Sequence, residues 1–369
     1  MQNIKNSIDY KEEIYDISGF HKLSFAQRQV LIKKCFNLTE EEFSVLYDTK
    51  KGLPIEKADL MIENTIGIFL LPLGLARNFI INGKRMIVPM ATEEPSVIAG
   101  ASKAAKLAIK EGGFTASASE PRMIGQIQFS HLKRDFSKAD LEMILIYERK
   151  KIEQIVKESD PKLHEIGGGF RDIWCKELST TRGRMLIIEF SMDVRDAMGA
   201  NAINTVAEKI ADFLCDKIPG KMGIRIVSNY AIQRMARAKA VFDLSEEGGV
   251  KILEKILDAQ AFAEADIFRA TTHNKGIMNG IAAVSLALGN DTRAIEAAVH
   301  SYASNSGNYK PLTRYRKISN TLLEGIIELP IPVATAGGIS NFHPTCRIIK
   351  KILNVESAVE LSALCASVG

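Results

Sequence analysis

The apolar positions of this chain change period several times, and each change predicts an element. Before residue 62 they fall at helical spacing. Ser24 is placed to cap a segment carrying Val30, Leu31 and Ile32, and Thr39, followed by Glu41 and Glu42, opens another with Phe43, Val45 and Leu46. From Met61 to Pro89 apolar runs are broken by Gly and Pro, and Asn82-Gly83 between Phe79-Ile80-Ile81 and Met86-Ile87-Val88 predicts a β-hairpin. Ile98 to Glu111 reads as a helix ended by Gly112-Gly113. Further on, Ile277, Ile281, Val284 and Leu288 predict a helix of about 18 Å over roughly 277–288, entered from a loop carrying Lys275 and closed by Gly289. A cation before a helix and Asp291 after it are the reverse of what the helix dipole favours. Two readings stand: solvated loop charges, or charges placed for chemistry.

Between about Ala118 and Gly223 lies a segment with its own rhythm. Ile124–Phe129 and Met185–Ser191 are strand-like, while Lys138–Ser159 and Ala202–Lys217 are amphipathic helices. The order strand, helix, strand, helix predicts a compact α+β unit inserted between turn-forming junctions at Gly112-Gly113 and Pro219-Gly220. The division expected is therefore 1–117 and 223–369 as one large domain, with 118–222 as a small one. Gly167-Gly168-Gly169-Phe170-Arg171-Asp172 and Asp193 to Asn201 each set glycine beside Arg and Asp, which fits turn chemistry with a surface ion pair. After Gly223 come a strand at Ile224–Ser228, helical stretches at 249–265 and 292–302, an apolar run from Leu323 to Val333, and a loop from Ala336 to Pro344.

Composition narrows the class. With 369 residues, 46% hydrophobic and 25% charged, the chain is ordinary for a globular protein, and 48 basic against 44 acidic side chains give no basic stripe for nucleic acid. Met1 to Tyr15 is polar and charged, unlike a signal peptide, and the apolar run Ile66–Ala76 is too short and broken for a membrane span. Five scattered cysteines read as reduced thiols, so a cytoplasmic protein is expected. The histidines lack ligand spacing, so no metal site is expected. Neither G-x-G-x-x-G nor G-x-x-x-x-G-K-[ST] occurs, which excludes a Rossmann or P-loop nucleotide turn. Glu93 and Glu94 precede Pro95 at a helix start; they serve either as plain capping acids or, if repulsion and burial raise one pKa, as a general acid.

Taken together, Glu63-Asn64-Thr65-Ile66-Gly67, Leu71-Pro72-Leu73-Gly74, Glu93-Glu94-Pro95-Ser96-Val97, Asp196 to Asn201, Thr272 to Gly280 and Gly289-Asn290-Asp291 resemble hydroxymethylglutaryl-coenzyme A reductases of class II, the bacterial and archaeal type. The resemblance implies an α+β fold: a large mixed helical and sheet substrate domain with an inserted small, ferredoxin-like, non-Rossmann domain for the nicotinamide cofactor. It also implies a homodimer with a shared active site, in which Lys275 and Asp291 meet either through loops that fold back or across two chains. The reaction implied is two hydride transfers that carry the acyl thioester to mevalonate and coenzyme A.

Matched residue by residue, the resemblance makes Lys275 the oxyanion partner, Asp291 the group that holds Lys275 charged, and Glu94 a protonated donor. Ser96, Arg269 and Asn279 match positions that grip the acyl group. Asp196, Met198, Gly199, Asn201, Ser228 and Asn229 match cofactor contacts. Asp160 and Lys162 fall where the adenosine ribose is read: the acid would favour NADH and the lysine NADPH, with NADPH the reading preferred. His21 stands where some relatives carry an arginine near the coenzyme A phosphates. The family's C-terminal flap, whose histidine protonates the departing thiolate, is expected to be absent from this sequence. Two other classes compete, a Schiff-base lyase built on Lys275 and an acyl-coenzyme A binding module.

Overall fold

The computed structural model describes residues 14–15 and 19–369. The helical expectation for 1–13 and 16–18 lies outside the described residues. Helix α1 (Phe25–Cys35) starts with a capping box between Ser24 and Gln27, and a second box between Thr39 and Glu42 opens the short helix Glu40–Ser44. Strands β1 (Leu73–Ile81) and β2 (Lys84–Ala91) form the expected hairpin. Asn82 and Gly83 both take positive φ, 51° and 78°, as a two-residue turn that follows the strand twist demands.

Helix α2 (Val97–Ala108) leads through a 3-10 turn and Gly112-Gly113 into β3 (Phe114–Ala118). The chain then leaves for β4 (Arg122–Ser130), α3 (Lys138–Ser159), β5 (Gly169–Thr180), β6 (Gly183–Asp193), α4 (Ala200–Leu214) and β7 (Lys221–Ser228). It returns with β8 (Met235–Asp243), α5 (Val250–Ala265), α6 (Ile267–Ala287), α7 (Thr292–Ala303), β9 (Thr313–Lys317), β10 (Leu322–Pro330), α8 (Pro344–Leu353) and α9 (Ala358–Val368).

These strands make two sheets. One has six strands in the order β2-β1-β3-β8-β10-β9, and the other four in the order β5-β6-β4-β7. The four-stranded sheet is antiparallel throughout, and its β-α-β-β-α-β connectivity is the split βαβ arrangement of ferredoxin-like units. Each sheet has its own apolar core. The larger gathers Ile281, Val284, Leu329 and Leu364, among others, and the smaller Phe129, Ile188, Phe190 and Ile203. The fold class is thus the mixed α+β arrangement expected. Among the described residues no helix is long and apolar enough to cross a membrane.

Three expectations change. The small unit holds four strands where two were expected, because β5 hides its period: Ile173 and Cys175 are buried while Lys176, Glu177 and most of its far end stay polar. Strand β7 pairs with β4, Ile124 opposite Ser228, so the boundary placed at 222 falls inside a strand of the small sheet. Finally, Lys275 is not in a loop. Helix α6 begins at Ile267, capped by the Asp266 carboxylate that accepts the Arg269 N–H at 2.8 Å. Its polar start is tolerated because the Thr271 and Thr272 hydroxyls donate back to the carbonyls of Ile267 and Phe268, at 2.8 and 3.0 Å.

Gly125 in β4 shows how tightly the small core closes. A Cβ there would stand 2.4 Å from Phe190 and 2.9 Å from Ile203 of α4. Gly125→Ala is expected to cost about 1–3 kcal/mol through overpacking. Urea unfolding checks this; an unchanged midpoint would mean that α4 can shift outward without loss.

Candidate active site

The link between β2 and α2 carries Glu94, whose N–H is held by the Thr92 hydroxyl at 3.1 Å. Across from it, α6 presents Lys275 and Asn279, four residues apart and so on one helix face. The Lys275 ammonium lies 2.6 Å from Glu94 Oε2, and the Asn279 amide donates to Oε1 at 3.2 Å. Both carboxylate oxygens are therefore engaged from one helix. The Lys275 hydrogen bond holds Glu94 below its ordinary pKa, which corrects the expectation that neighbouring Glu93 raises it. The pair is open in a single chain, with 58% of the Lys275 and 41% of the Glu94 side chain exposed.

Ser96 caps α2 in the left-handed region, φ 71°, without a side-chain capping bond. Such a backbone costs a serine of the order of 1–3 kcal/mol and marks places where geometry serves a site. Arg269 sits on the first turn of α6, about 9 Å along the axis from Lys275 at 1.5 Å per residue. Between them His273 donates or accepts at Thr313 Oγ1, 2.5 Å away. Burial, then the charge of Arg269, lowers the pKa of His273, so it is a neutral packing group.

Asp291 is elsewhere. It caps α7, accepting the amide N–H groups of Arg293 and Ala294 at 3.1 and 3.2 Å and the Arg293 guanidinium at 3.1 Å. Burial pushes its pKa up, but these donors outweigh burial and leave it below the ordinary value. Continuous helix from Lys275 to Ala287, about 18 Å long, lies between the two residues within one chain. Loops folding back to join them are thereby excluded.

The residues matched to cofactor contacts collect at one end of the four-stranded sheet. Register pairs Arg122 and Gly169 with Asp193, and Ile124 with Ser228. That edge therefore carries the loop Asp196–Asn201 after β6, Ser228-Asn229 after β7, and the short helix Pro161–Glu165 ahead of β5. Gly199, at φ 94°, turns the chain into α4, and a Cβ there would meet Val194 at 2.5 Å. No side chain caps α4, which leaves its first-turn N–H groups without a side-chain acceptor. Asp160 caps Pro161–Glu165 through the Leu163 N–H at 2.9 Å, leaving Lys162 exposed in its first turn. The Asp196 carboxylate points toward the large unit and accepts the Ala358 N–H at 2.7 Å. Ser228 accepts the Tyr230 N–H at 3.2 Å.

Sequence reading missed how deep one charge lies. Asp193 is fully buried and meets Arg171 at 2.8 Å, while the Arg195 N–H donates to it at 2.8 Å. The Gly/Arg/Asp texture pointed there but looked like a surface pair. Among the described residues no group of three or more His, Cys, Asp or Glu is arranged for a metal.

Fold and site together define a two-unit α+β enzyme, with a charged pair on the large unit and an uncapped helix start at one end of the small sheet. The hydroxymethylglutaryl-coenzyme A reductase model matches residues 24–369, and the chain belongs to that family. It is 47% identical over 353 residues to the 3-hydroxy-3-methylglutaryl-coenzyme A reductase of Archaeoglobus fulgidus, covering 96% of this chain and 80% of that one. It is 36% identical to the probable enzyme of that name from Borreliella burgdorferi, over 84% of this chain and 70% of the relative. The class II reductase of Streptococcus pneumoniae, solved bound to NADPH in open conformations, superposes with a TM-score of 0.89 at 35% identity, over 95% of this chain and 96% of that one.

The two uses of Asp291 separate experimentally. Asp291→Ala loses the α7 cap and should cost about 1 kcal/mol, whereas Asn caps about as well as Asp. Denaturant midpoints of Asp291→Ala and Asp291→Asn check this, and equal losses would remove the cap from the account.

Proposed function

We propose that the protein reduces hydroxymethylglutaryl-coenzyme A to mevalonate and coenzyme A, using two reduced nicotinamide cofactors. The observation that carries the proposal is the Lys275–Glu94–Asn279 cluster in a chain of this family. When bound, the nicotinamide supplies the hydrides. The chain's part is electrostatic. Each hydride addition to a thioester or aldehyde carbonyl creates an oxyanion, and the Lys275 ammonium is the cation available to stabilise it. Between the two additions the hemithioacetal breaks its C–S bond and releases the coenzyme A thiolate, and the alkoxide made from the aldehyde by the second hydride takes a proton on that same oxygen. Asn279 fixes the Glu94 carboxyl group, which gives this proton from its protonated form, and Arg269 suits the free carboxylate of the acyl group through a bidentate pair.

The anion edge of the small unit fits a dinucleotide. Gly199, at positive φ and packed so closely on Val194 that no side chain fits, turns the chain tightly into α4, and the uncapped first turn of α4 offers N–H groups to a pyrophosphate. NADPH is the preferred cofactor. The Asp160 carboxylate is engaged as a helix cap, while exposed Lys162 is free to meet a 2′-phosphate. The Streptococcus pneumoniae relative, bound to NADPH, supports the same choice.

A homodimer completes the site in this reading, with Asp291 of a second copy beside Lys275. Three observations support it. Asp291 lies a helix length from its own Lys275, the Lys275–Glu94 pair is open, and Ile66, Phe69 and Phe268 are more than four-fifths exposed although apolar. A second carboxylate at Lys275 would share the ammonium and let Glu94 rise toward the protonated form that a donor needs. A Schiff-base lyase fits less well, since it needs a free amine and the Lys275 nitrogen is hydrogen-bonded to a carboxylate.

Lys275→Ala is expected to lower kcat by about 100–1,000-fold or more, as loss of an oxyanion donor does elsewhere. The check is loss of reduced-nicotinamide absorbance with hydroxymethylglutaryl-coenzyme A present; near-native turnover would remove Lys275 from the mechanism. Lys162→Glu should raise KM for NADPH by about tenfold or more while leaving NADH little changed, from loss of a charge-assisted bond. Equal effects on both cofactors would reject its role in reading the 2′-phosphate.

A further inference from the structure

Among the described residues Arg234 is the bulkiest fully buried side chain, at 2% exposure, and none of its hydrogen bonds goes to a carboxylate. Its guanidinium instead donates to three backbone carbonyls. One nitrogen reaches Ala197 at 3.1 Å and Met198 at 3.3 Å, and the other reaches Val333. Burial lowers its pKa to about 10, with Asp193 and Asp196 opposing, so it stays charged at neutral pH. A buried cation whose hydrogen bonds go to carbonyls, with carboxylates acting on it only from farther off, is costly, and ordinary packing does not call for one.

Its place in the chain gives the reason. Arg234 immediately precedes β8, where the chain returns from the small sheet to the large one. The same loop is tied a second time: the Asp196 carbonyl accepts the N–H groups of Thr335 and Ala336, both at 2.9 Å, and its carboxylate accepts that of Ala358. We infer that Arg234 is a positioning residue that latches the Asp196–Asn201 loop to the 333–336 segment of the large unit, so that the N-terminus of α4 is held ready for the cofactor pyrophosphate. The inference rests on the reading of that loop as a cofactor contact. Asp196 then acts through the latch, holding the loop from its far side.

The test uses the full chain and measures reduced-cofactor binding by nicotinamide fluorescence, separately from turnover. Arg234→Lys keeps the charge but cannot reach all three carbonyls from a single nitrogen. It should raise the Kd for the cofactor by about tenfold, and Arg234→Gln by more, because hydrogen bonds from a charged group are lost. KM for hydroxymethylglutaryl-coenzyme A should stay within about twofold. Equal weakening of both ligands, or unchanged cofactor binding, would overturn the latch. Hydrogen exchange on the unmutated, cofactor-free protein supplies a second readout should the variants not fold: the Thr335, Ala336 and Ala358 amides should be protected, and fast exchange there would overturn it. Asn201→Ala separates the two readings. If it weakens the cofactor and the Arg234 variants do not, only the latch fails; if neither does, the loop is not the cofactor site and both fail.

Discussion

Strands β3 and β8 lie side by side and antiparallel, Ala118 opposite Ala236, and the rest of the architecture depends on that pairing. The chain leaves the large sheet at the end of β3 and re-enters it at the start of β8, so the whole small unit hangs from two adjacent strand ends. The junction is stitched: the Ser119 N–H donates to the Met235 carbonyl at 2.8 Å, and the Met235 N–H to the Ser119 hydroxyl at 2.9 Å. A unit tethered at one point can pivot, which is why the loop after β6 needs ties of its own. Those ties come from the Asp196 carbonyl and carboxylate and from the buried guanidinium of Arg234.

The second constraint is the length of α6. A continuous helix of 21 residues runs along the larger core with Ile277, Ile281 and Val284 buried, which fixes the opposite face that carries Lys275 and Asn279. The same rigidity that aims these two at Glu94 keeps Asp291 at the far end. One chain thus holds a carboxylate, a cation and an amide in register, with Asp291 engaged at the α7 cap and not at this cluster.

Much of this was legible in the sequence, and what was not had identifiable causes. The hairpin at Asn82-Gly83, the helix starts at Ser24 and Thr39 and the inserted unit announced themselves because local chemistry dictates each of them. The start of α6 did not. Thr271, Thr272 and His273 read as loop residues until the threonine hydroxyls are seen returning to the helix carbonyls and His273 is seen paired with Thr313. Strand β5 was hidden by its polar face, and the depth of Asp193 and Arg234 is a property of tertiary burial that no spacing records. The motif residues were found where their chemistry is unusual, while their supports were not, because a supporting residue is ordinary until its surroundings are known.

The protonation of Glu94 follows from the same geometry. Alone with Lys275 it is pulled down, since an ammonium at 2.6 Å favours the charged carboxylate, and a charged carboxylate cannot donate a proton. The open pair is therefore suited to binding and wrong for the last step of an aldehyde reduction. Two changes reverse that state without moving either residue: a competing anion at Lys275, whether a carboxylate or the developing alkoxide, and removal of water as the site is covered. The first diverts the ammonium from Glu94, and the second penalises the charged form of a carboxylate so released. On this account the proton becomes available only when an oxyanion is present to take it, and the exposed pair in a single chain is the resting half of that exchange.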